Sequence, residues 1–215
     1  MTARSERTYL PAAGHDWFLP LYDPLTRLLG VQKARRMLLA QAQLLPYQRV
    51  LDVGCGTGTL AVLVKEEHPS VDVVGVDPDP RALARAQLKA DRVGLSIRFD
   101  HGFADALGYR DATFDRAFSS MMFHHLEPDA RERSLGEMHR VLKPGGRLEL
   151  LDFEGPEAEG HWALSRLFHS HHRLQDNSTR RVLDLLRRAG FRDVEKMASR
   201  MMLFGRVAFY QASAA

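Results

Sequence analysis

The residues best able to do chemistry lie in one run, Val50-Leu51-Asp52-Val53-Gly54-Cys55-Gly56-Thr57-Gly58-Thr59. A short apolar stretch ends in a glycine-rich turn with an acid, Asp52, just before it. Glycines let a chain turn sharply off a strand end and approach a ligand closely. A helix beginning after the turn presents free N–H groups. Asp77 closes the next apolar run, Val71 to Val76, with Pro78 in the turn behind it. There its carboxylate can accept hydrogen bonds from both hydroxyls of a ribose.

The spacing discriminates between ligands. A dinucleotide site prefers G-x-G-x-x-G, with the pyrophosphate on the helix N-terminus. Here it is G-x-G-x-G with threonine at position 59. A phosphate-binding loop of the Walker type needs Gly-Lys-Ser/Thr, which is absent. S-adenosylmethionine has a ribose and no phosphate. Its cationic amino group and sulfonium suit the acid at position 52.

The surrounding pattern supplies elements to hold these residues. Trp17 to Leu45 has helical spacing, with leucines at three- and four-residue steps, and Pro46 ends it. Strands are expected at 49–53, 71–76, 96–99, 114–120 and 147–153. Helices are expected at 59–67, from Asp79-Pro80 to about Val93, and at 130–142. Alternating strands and helices imply right-handed crossovers and a parallel sheet. Residues 154–177 break that rhythm. Ser178 is placed to cap a helix through Ala189. Strands 191–197 and 203–211 follow too closely for a crossover, so they should be antiparallel.

Together these motifs resemble the class I methyltransferases, and among them the ubiquinone/menaquinone-biosynthesis-like group. The glycine turn is joined by Val74-Gly75-Val76-Asp77, Thr113-Phe114-Asp115, His124-His125-Leu126, Arg140-Val141-Leu142-Lys143-Pro144-Gly145-Gly146 and Leu185-Leu186-Arg187-Arg188-Ala189-Gly190-Phe191. The resemblance covers residues 48–153 and the unit from Ser178 to Phe191. It implies a Rossmann-like three-layer α/β/α sandwich with a seven-stranded sheet, order 3-2-1-4-5-7-6, strand 7 antiparallel, under an N-terminal helical cap. It implies S-adenosylmethionine held by Asp52, Gly54, Cys55, Gly56, Gly58, Asp77, Pro78, Phe103, Ala104 and Ser119. Ser119 would contribute its carbonyl to the cofactor's amine.

One departure matters. The family usually carries Gly-Asp-Ala-x-x-Leu-Pro after strand 3, its Asp binding the adenine amine. This chain reads Gly102-Phe103-Ala104-Asp105-Ala106-Leu107-Gly108. Either the Phe103 ring and the Ala104 N–H hold adenine, or Asp105 swings in. Base-amine methyltransferases carry Asn/Asp-Pro-Pro-Tyr/Phe after strand 4. This chain has Ser119-Ser120-Met121-Met122 there, which argues against a nucleobase amine as acceptor.

Candidate catalytic groups are His125, His169, His172 and Tyr22. Histidine titrates near pH ~6.5 and is the natural general base. His169 and His172 lie one turn apart, but no carboxylate cluster accompanies them, and no metal is expected. His124, Glu137 and His139 read as structural. A helix N-terminus can lower a thiol pKa, yet Cys55 reads as a small residue between glycines. Trp17, Phe18, Leu19, Tyr22, Trp162, Leu167 and Phe168 are either core or a lid over an apolar acceptor pocket.

The chain has 215 residues, 45% hydrophobic and 27% charged, with net charge +3. That fits one domain, here 1–215. Within it, 1–46 is an arm and helical cap, 47–153 the cofactor core, 154–177 an acceptor-side insert and 178–215 a closing helix and strands. A lone cysteine excludes an intramolecular disulfide. No apolar run spans a bilayer, and no signal-peptide core follows the polar start, so a cytoplasmic enzyme is expected. The pair Arg35-Arg36 falls on one helix and the pairs Arg180-Arg181 and Arg187-Arg188 on another, among acids and apolar positions, and they read as solvated faces, not a nucleic-acid stripe. The expected partner is a small apolar or aromatic acceptor; a homo-oligomer stays open. The alternatives are a protein or nucleic-acid methyltransferase, or a cofactor-binding sensor or assembly protein without transfer activity.

Overall fold

The computed structural model of the protein describes residues 31–155, 178–203 and 205–215. In chain order these form α1 (Val31–Ala42), β1 (Arg49–Val53), α2 (Thr59–Glu67), β2 (Asp72–Asp77), α3 (Pro80–Arg92) and β3 (Arg98–His101). Then come β4 (Phe114–Ser120), a 3-10 turn (Phe123–His125), α4 (Pro128–Val141), β5 (Leu142–Phe153), α5 (Thr179–Arg188), β6 (Arg192–Met202) and β7 (Gly205–Ser213). The strands make one seven-stranded sheet in the order β3-β2-β1-β4-β5-β7-β6. Neighbours from β3 to β5 pair in parallel, and β7 runs antiparallel to both β5 and β6. The expected Rossmann-like topology is the one observed.

The sequence explains the layering. β1 and β2 are nearly continuous apolar runs because both faces of a parallel sheet are covered. Leu51, Val53, Val74 and Ala117 pack with Leu135, Met138, Val182 and Leu186 from α4 and α5. Val50, Val73, Phe118 and Leu151 face the other way, onto Leu38, Leu39, Leu60 and Leu63 of α1 and α2. Asp79 caps α3 by accepting the Arg81 N–H at 2.9 Å, with Pro80 opening the helix.

Several boundaries differ from expectation. β3 lies two residues later, in a register that pairs His101 with Asp77. β5 starts at Leu142, not Arg147, because Leu142 already pairs with Phe114 before an irregularity in register. β6 and β7 run further, to Met202 and Ser213. Ser178 holds the N-cap position of α5, but its side chain makes no capping bond. Instead Thr179 donates to Glu154 at 2.8 Å.

Candidate functional site

The C-terminal ends of β1, β2 and β4 converge on a cavity of about 930 Å³. This is where ligands bind in open α/β sheets. Its floor is the glycine turn. Gly54 and Cys55 donate their N–H groups to the Val76 carbonyl at 2.8 and 3.1 Å, tying the turn to β2. A Cβ on Gly54 would meet Met122 Cγ at 2.3 Å, whereas one on Gly56 would point into open space. Gly56 lines the cavity with φ +53° and leaves room for a ligand against its backbone.

Asp77 holds the turn from the far side. Gly56 N–H donates to its Oδ2 at 2.8 Å and Asp79 N–H to its Oδ1 at 2.9 Å. Each carboxylate oxygen has two acceptor sites, so capacity remains for two further donors. Asp77, Pro78, Asp52, Cys55, Phe103 and Ala104 all line the cavity. Asp77 is buried, which raises its pKa against the pull of the Asp79 and Gly56 N–H groups.

Asp52 is fully inside. Burial pushes its pKa from 3.8 to about 7, with Arg35 opposing and Asp77 adding to the rise. Its Oδ2 has no hydrogen-bond partner among the described residues, and neither do Nε and Nη1 of Arg35. Arg35 is 6% exposed and lines the same cavity. The solvated-face reading therefore holds for Arg36, which pairs with Glu67 at 3.3 Å, and fails for Arg35. The signal was present. Arg35 stands one turn from Leu38 and Leu39 and two from Ala42, inside the buried stripe of α1.

Cys55 sits in an acidic, buried niche. Burial first, then Asp52 and Asp77, raise its thiol well above the usual value. A helix N-terminus does not activate it. Phe103 and Ala104 belong to a tight loop in which Ala106 N–H donates to the Phe103 carbonyl at 3.1 Å. Asp105 also reaches the rim, but Arg133 holds its carboxylate at 3.0 and 3.3 Å. The loop is fixed from below by Glu137, which accepts the Leu107 N–H at 2.7 Å and pairs with Arg140. Glu137 is structural, as expected.

Ser119 lies in β4, fully buried, and does not line the cavity; Ser120, Met121 and Met122 do. Met121 takes φ +59°, unusual for a residue with a side chain. Such backbone strain concentrates where a site must be shaped. His125 lines the cavity beside Leu126 and Glu127. Behind it, His124 Nδ1 stands 2.6 Å from Asp152 Oδ1 in a buried pair that sequence reasoning took for plain packing. Tyr22, His169 and His172 lie outside the described residues, as do Trp17, Phe18, Leu19, Trp162, Leu167 and Phe168. Among the described residues no group of three or more His, Cys, Asp or Glu is placed to hold a metal ion. No described helix is long and apolar enough to cross a membrane.

Comparison with known proteins agrees with this geometry. A family described as methyltransferase domain matches residues 50–146. A demethylmenaquinone methyltransferase of Deinococcus radiodurans is 43% identical over 155 residues, covering 71% of this chain and 64% of its own. This chain thus spans slightly less than two thirds of that relative. The ubiquinone/menaquinone biosynthesis C-methyltransferase UbiE of Geobacter sp. (strain M21) is 34% identical, covering 73% and 68%. A SAM-dependent methyltransferase structure from Aquifex aeolicus superposes with TM-score 0.69 at 21% identity, over 92% of this chain and 97% of that one. The [4+2]-cyclase SpnF superposes with TM-score 0.64 at 28% identity, over 77% and 60%. The chain belongs to the class I S-adenosylmethionine-dependent methyltransferases, in their ubiquinone/menaquinone-biosynthesis group.

Proposed function

We propose that this chain moves a methyl group from S-adenosylmethionine to a small, apolar aromatic acceptor of the quinol type. One observation carries the cofactor assignment: a buried carboxylate oxygen of Asp52 and two buried guanidinium nitrogens of Arg35, without hydrogen-bond partners among the described residues, belong to side chains that line one cavity. Leaving such groups unsatisfied costs on the order of 1–3 kcal/mol each, more when charged. An amino-acid end bearing an ammonium and a carboxylate satisfies both. Asp52 takes the ammonium and Arg35 the carboxylate. Asp77 takes the ribose hydroxyls. Phe103 and the Ala104 N–H flank the adenine.

When bound, the sulfonium supplies an electrophilic methyl group, displaced in line with the electron pair of the broken bond kept by sulfur. The chain's part is to hold the acceptor in line, within ~3 to 3.5 Å, and to keep bulk water out. Met121, Met122 and Leu126 give the cavity an apolar wall. The names of the Deinococcus and Geobacter relatives point to a demethylated quinone as the acceptor class. We assign residues 14–45 and 154–177 of a single domain to the acceptor side, with Tyr22, His169 and His172 as polar groups near the methyl. We place the enzyme in the cytoplasm.

Calorimetry tests the cofactor assignment. Arg35→Met should weaken S-adenosylmethionine binding by about tenfold or more, the worth of charged hydrogen bonds. It should leave 5'-methylthioadenosine, which lacks the amino-acid end, unchanged. Equal effects on both ligands, or preferential binding of NAD by the wild type, would overturn it.

A further inference from the structure

Behind the cavity wall lies a second constellation. The end of β5 delivers Asp152, fully buried, next to the 3-10 turn that follows β4. Three donors converge on its carboxylate. The Phe153 N–H donates to Oδ1 at 2.6 Å, the His124 N–H to Oδ2 at 3.1 Å, and His124 Nδ1 faces Oδ1 at 2.6 Å. Burial works against the charge, but His124 and these N–H groups outweigh it and hold Asp152 below the usual carboxylate range. An ionised carboxylate donates nothing, so the His124 proton sits on Nδ1. The His124 ring is wedged edge-on against Phe153 at 4.8 Å. It packs on the ring of His125, centroid to centroid at 4.0 Å with a 40° tilt. Of the two rings, His125 lines the cavity.

We propose that His125 takes the proton from the acceptor's hydroxyl, and that Asp152 acts through the fixed ring of His124 to position His125 for that transfer. The inference rests on the methyltransferase reading above. Its step balances. The acceptor O–H bond breaks, the proton passes to a ring nitrogen of His125, and the electron pair stays on the acceptor. That pair forms the bond to the methyl group, either on oxygen or, delocalised, on the neighbouring ring carbon; in the second case that carbon then gives up its hydrogen as a proton and the oxygen takes one back. One proton in all is released to solvent, directly or through His125.

Asp152 holds its negative charge behind the two stacked rings. Other charged groups line the same cavity as His125. Asp52 and Arg35 stand at the back of the cavity, Asp77 at its floor, and Glu127, Asp129, Asp105 and Arg133 along its rim. Arg131 reaches in from α4, its Nη2 donating to the His124 carbonyl at 3.3 Å and its Nε to the Leu126 carbonyl at 3.0 Å. These groups remain in place when Asp152 changes, so a charge swap at 152 reads the pair's share alone.

The test compares wild type, Asp152→Asn, His124→Gln and His125→Asn. It reads the acid limb of kcat/KM, the ring titration of His125 by NMR, cofactor affinity and melting temperature. His125→Asn should abolish the acid limb and lower kcat by about a hundredfold or more, the usual worth of a general base. Asp152→Asn should shift both the limb and the His125 titration down by roughly one pH unit while cofactor affinity stays within a fewfold. Asp152→Glu should restore them. If Asp152→Asn does not fold, His124→Gln decides. Glutamine keeps an N–H for Asp152 and so keeps the charge, and the limb should stay in place while kcat falls severalfold. An unmoved titration in folded Asp152→Asn would overturn the proposal. So would a limb that vanishes in His124→Gln but survives in His125→Asn. A wild type that binds cofactor and methylates no acceptor refutes the methyltransferase reading itself; normal turnover with unmoved limbs refutes only the role of the pair.

Discussion

Asp52 shows how one buried acid can set a pH dependence. Burial raises its pKa to about 7, and Glu149, also buried and opposed by Gln41 and two arginines, rises to about 7 as well. The unfolded chain releases both protons near pH ~4. The folded chain holds them until near pH ~7, so between those values the native state binds more protons. The unliganded protein should therefore lose stability as pH rises from about 4 to about 7, as melting curves across that range will show. Cofactor binding runs the other way, because the ammonium needs Asp52 ionised. Affinity should rise about tenfold from pH ~6 to ~8, with proton release at the lower pH. Calorimetry in buffers of different ionisation enthalpy measures both, and a flat profile would remove Asp52 from the ammonium site. Asp77→Ala should weaken binding by at least about tenfold, since two charged hydrogen bonds to ribose are lost. Phe103→Ala should weaken it too, while Phe103→Asp keeps most of it; the reverse pattern, with loss in Asp105→Ala, would move the adenine contact to Asp105. The turn and Asp77 were legible because their roles follow from local backbone chemistry. Arg35 was not, although its spacing placed it in an apolar stripe, because which helix face meets a cavity is a tertiary fact.

Among the elements, α1 links stability to the site. Its C-terminal carbonyl at Ala42 accepts from Arg147 Nη2 and, at 3.3 Å, from Arg116 Nε. Gln41 in the last turn donates to Glu149 at 2.7 Å and to the Tyr210 carbonyl at 3.2 Å. Two arginines thus meet the negative end of the helix dipole and pin α1 across β4, β5 and β7. Arg147→Met should destabilise the protein by roughly 1.5–3 kcal/mol, the worth of a charged hydrogen bond. It should also weaken cofactor binding severalfold through Arg35, with faster hydrogen exchange confined mainly to residues 31–42. Faster exchange spread over the whole sheet, with cofactor affinity intact, would show that α1 does not position the site. Apolar runs and glycine stops made most strands and helices readable. β3 was misplaced by two residues because its pattern is short and half-polar, and its ends are set by pairing with β2. The early start of β5 was hidden by Lys143-Pro144-Gly145-Gly146, which read as a loop but lies within an irregular pairing with β4.

At the scale of the whole molecule, alternating elements and the crowded last two strands made a parallel sheet with an antiparallel end readable, while the strand order itself came from the resemblance to the methyltransferases. The acceptor was not readable, because the fold fixes where a methyl donor sits and leaves the opposite wall to segments outside the common core. Deleting residues 1–22 should leave cofactor affinity within a fewfold and abolish transfer to the true acceptor. Normal turnover by the truncated chain would free that segment from the acceptor side. A related fold also serves a [4+2]-cyclase, so cofactor affinity by itself does not decide between binding and transfer. The direct measurement is mass spectrometry of a reaction containing the protein, S-adenosylmethionine and a panel of reduced quinones and hydroxylated aromatics. The expected result is one acceptor heavier by a single methylene, formed in step with S-adenosylhomocysteine. Tight cofactor binding with no methylated product from any member of the panel, reduced quinones included, would contradict the proposed reaction.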